Sequence, residues 1–166
     1  SKKFMTVSAE EALKNVKSND HLFIHSAAAA PQHLIQALAK RHNELKNVTI
    51  YQIHTEGHAP YCKPEMKDSF KVKALFVGAN VRQSIQCGQN SYIPVFLSEA
   101  PILFKNKILP LDVALISVST PDKHGYCSLG TSIDTSLEAM KAAKMVIAQV
   151  NSHVPRTHGD GIIHVK

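Results

Sequence analysis

The sequence predicts an α/β protein, an open three-layer α/β/α arrangement around a mostly parallel sheet. Three observations carry this. Short apolar runs and helical patterns alternate at least four times along the chain. The runs are continuous instead of alternating with polar residues, as in strands buried on both faces. The segments joining them have a plausible length for crossovers, which should be right-handed. At 166 residues the chain corresponds to one domain, 1–166. An apolar fraction of 44% against 19% charged residues argues against disorder. With no Trp and only 6% aromatics, the core must be largely aliphatic.

The elements follow in order. Ser8-Ala9-Glu10-Glu11 is a capping box that opens a helix through Leu13 and Val16, ending at Asn19-Asp20. Residues 21–25 form a strand, HLFIH, and 26–30 a small-residue turn. Pro31 fits the first position of a helix to about His42, with Leu34, Ile35 and Leu38 on one face. Residues 48–54 are a β-branched strand and 55–63 a loop, after which Pro64 starts a short helix. Residues 73–77 are the next strand, and Asn80 caps a helix to Cys87 that stops at Gly88. Residues 91–96 are extended but interrupted by Pro94, and Ser98 caps a short helix whose first turn holds Glu99. Residues 112–119 are a strand, 121–130 a loop, and Asp134 caps a helix through Leu137, Met140 and Ala143. The strand 145–150 completes the pattern.

No apolar run approaches the ~20 residues that span a bilayer, and the N-terminus lacks a signal-peptide core. No membrane association is expected. Three cysteines cannot all pair and form no C-x-x-C, which supports neither a disulfide framework nor a zinc ribbon. A reducing, cytoplasmic setting is the simplest reading. The last residues, Ile162-Ile163-His164-Val165-Lys166, read as a strand, which predicts that the chain is cut from a longer one. The formal net charge is +6, but the cations are spread, with no run of five or six. No recognition helix, RNP or zinc-finger pattern is present, so nucleic acid is not expected. A solvated surface or an anionic small ligand accounts for the charge.

In open parallel sheets, ligands bind outside the carboxyl ends of the strands. The loops to search are therefore 26–30, 55–63, 78–82 and 119–128. The glycine-rich nucleotide fingerprints, H-E-x-x-H and G-x-S-x-G are all absent. His54, His58 and Cys62, with Glu56 between, could ligate a metal or be an ordinary histidine pair; no metal is expected. Cys127 near His124 could be a nucleophile pair for acyl hydrolysis or a buried structural cysteine. His25 ends the first strand beside the small residues Ser26-Ala27-Ala28, so it is either a ligand contact or a core-edge group. Arg82 lies in a first helical turn, where a cation is disfavoured; it either binds a carboxylate or phosphate or pairs with an acid.

Several stretches taken together resemble the N-terminal half of the acetyl-CoA hydrolase/CoA-transferase family, and within it the 4-hydroxybutyrate and butyrate CoA-transferases. They include Pro60-Tyr61-Cys62-Lys63-Pro64-Glu65, Arg82-Gln83-Ser84-Ile85, Ile93-Pro94-Val95-Phe96-Leu97-Ser98-Glu99 and Ala148-Gln149-Val150-Asn151. The most specific are P-D-K-H-G-Y-C-S-L-G at 121–130 and V-P-R-T-H-G-D at 154–160. The resemblance runs from end to end. It implies the N-terminal domain of a class I CoA-transferase fold. It also implies CoA exchange between an acyl-CoA and a short-chain carboxylate (4-hydroxybutyrate, butyrate or acetate) through a glutamyl-CoA thioester, or acetyl-CoA hydrolysis in the same family.

The family's nucleophilic Glu lies in the C-terminal half, so no catalytic residue is assigned here. Glu56 and Glu99 do not take its place. The expected substrate-facing residues are His25, Thr55, Gly57, Asn80 and Arg82. Coenzyme A is implied as a substrate, the C-terminal half as a partner, and a homo-oligomer as the assembly. The chain alone is expected to be inactive.

Overall fold

The structure, a computed structural model, describes residues 7–25, 31–52, 60–76, 91–94, 104, 106–107, 109–118 and 133–150. Among the described residues the apolar runs form six strands: β1 (His21–Ile24), β2 (Val48–Gln52), β3 (Phe70–Phe76), β4 (Ser91–Pro94), β5 (Val113–Val118) and β6 (Met145–Val150). They pair in the order β4-β3-β2-β1-β5-β6, and every pairing is parallel. Among the described residues the α-helices are α1 (Ala9–Leu13), α2 (Gln32–Lys40) and α3 (Ile133–Ala142), with short 3-10 helices at Pro60–Cys62 and Pro64–Met66.

Period-two alternation divides the central strands between two apolar layers. Leu22, Ile24, Ile50, Val72 and Leu115 join Leu13 of α1 and Leu34 and Leu38 of α2 on one face. Phe23, Tyr51, Ala114, Ile116 and Val118 join Phe104, Leu111 and Ala139 of α3 on the other. Every residue of β2 and β5 is buried, which is why these strands read as unbroken apolar runs. Among the described residues, no helix is long and apolar enough to cross a membrane.

Local chemistry sets the element ends. The Ser8 Oγ accepts the Glu11 N–H at 3.1 Å, the expected capping-box bond. Helix α1 ends at Leu13, short of Val16. Arg41 donates to the carbonyls of Leu13 at 2.5 Å and Val16 at 2.6 Å, satisfying acceptors that a longer helix would have used internally. Asn19 and Asn47 both adopt positive φ, 71° and 57°, as asparagine tolerates, and their side chains bond at 2.8 Å.

Four further boundaries differ from the sequence reading. Pro31 is the N-cap of α2 and not its first residue; its ψ of 85° is not helical. Strand β3 begins at Phe70, three residues before the expected start, because Phe70 and Val72 are buried between Lys71 and Lys73. Asp134 lies inside α3 instead of capping it. Pro94 does not interrupt its segment: it pairs with Phe76 at the end of β4, on the outside of the described sheet, where a missing N–H is tolerated.

At the amino edge of the sheet, Asp112 ties three strands together. Its Oδ2 accepts the His21 N–H at 2.7 Å, its own N–H donates to the His21 carbonyl at 2.7 Å, and its carbonyl accepts the Met145 N–H at 3.0 Å. Lys144 lies 3.3 Å from Oδ1. Partial burial pushes this carboxyl up, but the His21 N–H and Lys144 outweigh it and hold it below the ordinary carboxylate range. A lowered folded-state pKa stabilises the fold above the unfolded value of 3.8, and that stability is lost as pH falls through the folded pKa. Asp112→Asn, which removes the charge, should lower stability by about 1 kcal/mol at pH 7. Urea denaturation checks this, and the gap should shrink as the pH falls below 3.8.

Candidate functional site

The strand order defines where a ligand site belongs. The chain steps outward from β1 through β2 and β3 to β4, then returns to place β5 on the other side of β1. Helices α2 and α3, which follow β1 and β5, pack on opposite faces of the sheet, so the topological switch point lies at the carboxyl ends of these two strands.

His25 is the residue that follows β1 at that point, and it is only 2% exposed. Its backbone N–H donates to the Leu115 carbonyl of β5 at 2.9 Å. Its side-chain Nδ1 accepts the Ser117 backbone N–H at 3.3 Å. The backbone thus fixes the ring. A nitrogen that accepts a hydrogen bond carries no proton, so the neutral imidazole keeps its proton on Nε2 and is a donor there.

Three further polar side chains stand near the same edge. Ser117, the fifth residue of β5, is fully buried, and its Oγ has no hydrogen-bond partner. Gln149 of β6 is in register with Ser117. Its Oε1 accepts the N–H of His33 at 2.9 Å and of Leu34 at 3.3 Å, capping α2, whose own N-cap Pro31 has no side chain able to do so. Gln52 ends β2 and is buried; its Oε1 accepts a short hydrogen bond from the Tyr61 hydroxyl. Burial pushes the Tyr61 phenol well above its ordinary range, against a smaller opposing effect of the Gln52 bond, so the hydroxyl remains a donor.

The edge is thus lined by neutral groups, with the His25, Gln149 and Gln52 side chains held by hydrogen bonds. Such groups can hold a carboxylate or acyl oxygen without bringing a full charge into the core. Among the described residues, no group of three or more His, Cys, Asp or Glu could hold a metal ion. Cys62 is disulfide-bonded, a single bridge where the sequence reading supported no disulfide framework. Its sulfur is therefore not the thiolate that the candidate metal cluster with His54, Glu56 and His58 would require.

Of the sequence-predicted substrate residues, only His25 falls within the described residues, and it lies at the switch point. Thr55, Gly57, Asn80 and Arg82 lie outside them, as do Glu56, Glu99, His124 and Cys127. Ser117, Gln149 and Gln52 were not singled out as site residues. Their signal was available: each is a polar residue near the end of an otherwise apolar strand, in VTIYQ, VALISV and MVIAQV.

Comparison with known proteins agrees with this architecture. The chain is 43% identical over 157 residues to a succinyl-CoA:acetate/propanoyl-CoA:succinate CoA transferase of Fasciola hepatica, covering 93% of this chain and 32% of that protein. It is 42% identical over 159 residues to the 4-hydroxybutyrate coenzyme A transferase of Clostridium kluyveri, covering 96% of this chain and 37% of that protein. The chain therefore spans about a third of the length of these relatives.

Two solved structures share the fold. The 4-hydroxybutyrate CoA-transferase of Porphyromonas gingivalis superimposes with a TM-score of 0.74 at 32% identity, over 95% of this chain and 36% of that one. RipA of Yersinia pestis superimposes with a TM-score of 0.78 at 30% identity, over 95% of this chain and 39% of that one. The model of the acetyl-CoA hydrolase/transferase N-terminal domain matches residues 1–166, and the chain belongs to that family.

Proposed function

We propose that the complete protein is a CoA-transferase exchanging CoA between an acyl-CoA and a short-chain carboxylate (acetate, butyrate or 4-hydroxybutyrate), and that this chain supplies its acid-side wall. The observation that carries the reading is the similarity, over nearly the whole chain, to relatives named as CoA transferases. The neutral donor edge at the β1/β5 switch point suits such substrates.

The chemistry divides one exchange into easier steps. A glutamate carboxylate, supplied from outside this chain, attacks the thioester carbonyl and expels CoA thiolate, leaving a mixed anhydride. The thiolate attacks the glutamyl carbonyl of that anhydride, releasing the first acid and forming a glutamyl-CoA thioester. The acceptor acid reverses both steps. In this reading His25, at the end of β1, belongs to the wall that faces the acyl group or acid, and Thr55, Gly57, Asn80 and Arg82 complete it. The C-terminal half is the partner that closes the cleft.

The test is an exchange assay on the complete protein, with butyryl-CoA offered to a panel of short-chain acids. New acyl-CoA should appear for at least one of them. Failure with every acid would reject the reading, and loss of butyryl-CoA without any new acyl-CoA would assign hydrolysis instead.

A further inference from the structure

The Ser117 hydroxyl and the Gln149 NH₂ have no task in the exchange steps above, although the Gln149 oxygen caps α2. A hydroxyl with no exposure and no partner is unfavourable for the fold, and such groups are rare in proteins. By strand alternation, Ser117 falls on the same sheet face as Val113 and Leu115, the face covered by α1 and α2. Gln149 falls on that face with Ile147. The two residues are register partners on adjacent parallel strands, which lie about 4.8 Å apart.

Gln149 is also oriented. Its oxygen is held by two N–H groups of α2, so the amide end left to donate is the NH₂. Helix α2 has nine residues and no acidic residue in its first turn, so its positive end is not neutralised from within. One hydroxyl, one oriented amide and the helix start that this amide caps therefore belong to the same sheet face near its carboxyl edge, all of them donors or positive.

Resting on the CoA-transferase reading, we propose that Ser117 and Gln149 form the subsite for the carboxylate of the acceptor acid. The Ser117 hydroxyl donates to one oxygen and the Gln149 NH₂ to the other. The helix end supplies the favourable field, so no cation is needed in the core. The stability forgone by burying an unpaired hydroxyl is recovered when the acid binds.

The test uses the complete protein and two variants. Gln149→Glu keeps an oxygen acceptor for α2 but replaces the NH₂ donor with a negative charge. It should keep the wild-type Tm within about 2 °C. Its KM for acetate or butyrate should rise about tenfold or more, with the KM for acyl-CoA changed less than about twofold. Ser117→Ala removes the orphan hydroxyl. Its Tm without ligand should equal or exceed that of wild type, while the Tm rise produced by acetate or butyrate is lost.

Unchanged acid KM and an unchanged acid-induced Tm rise in both variants would overturn the proposal. So would a Ser117→Ala variant with a lowered Tm and normal acid binding, because the hydroxyl would then be a structural group. The Tm readout needs no turnover. A wild type that fails to exchange CoA, yet shows an acid-induced Tm rise that the variants lose, would overturn the transferase reading and leave the subsite standing. A wild type that exchanges CoA, with variants of normal acid KM, would do the reverse.

Discussion

Phe23→Ala is expected to remove about 3–5 kcal/mol of stability, the range for emptying a buried aromatic position. Phe23 is 1% exposed in β1, between β2 and β5. Its ring meets Phe104 edge-on at 5.5 Å, and Phe104 meets Tyr51 in the same way at 6.0 Å. Such pairs contribute beyond the area they bury. A chain with few aromatics thus concentrates three of them on the α3 face, where the small side chains of Ala114 and Ala139 leave volume to fill. Domains of this kind have only about 5–15 kcal/mol in hand, so the variant should be close to unfolding at 37 °C. The urea midpoint measures it. A loss below about 1 kcal/mol would mean that this layer is not packed as described.

His25→Ala in the complete protein is expected to lower acyl exchange by roughly 10- to 100-fold. That is the rate equivalent of losing one charged-partner hydrogen bond of about 1.5–3 kcal/mol. The substitution should also destabilise the fold by about 1–3 kcal/mol, because the buried Ser117 N–H loses its acceptor. Of the two sequence readings, ligand contact and core-edge group, the structure supports at least the second, since the ring is nearly inaccessible and is tied to β5. His25→Asn separates the two effects. The asparagine oxygen can take the place of Nδ1 and restore the bond to Ser117, but nothing replaces Nε2. Its stability should recover while its exchange rate stays low. Full recovery of both would assign His25 a structural role alone.

The fold was legible because its physics is local. Continuous apolar strands, the Ser8 capping box and the Met145–Val150 run appear where the composition says they should. Two of the misplaced boundaries share one cause, a tertiary partner invisible to a local pattern. Arg41 ends α1 from 28 residues away, and Gln149 caps α2 from 116 away, so that Pro31 need not be helical. Strand β3 hid its start because two lysines flank Val72.

The site was legible only in part. His25 could be found from its place at a strand end. The roles of Ser117 and Gln149 depend on β5 and β6 being register neighbours under the start of α2, which the linear order of residues does not state. The resemblance located the family from motifs such as P-D-K-H-G-Y-C-S-L-G, but it assigned no task to these two residues.

Transfer of CoA to a carboxylate is open to isotope exchange. The complete protein is incubated with unlabelled acetyl-CoA and labelled acetate, with free thiol followed in the same reaction. Double displacement through an enzyme thioester predicts that label enters acetyl-CoA while free CoA stays constant. Thiol release matching the loss of acetyl-CoA, with no label incorporated, would contradict it.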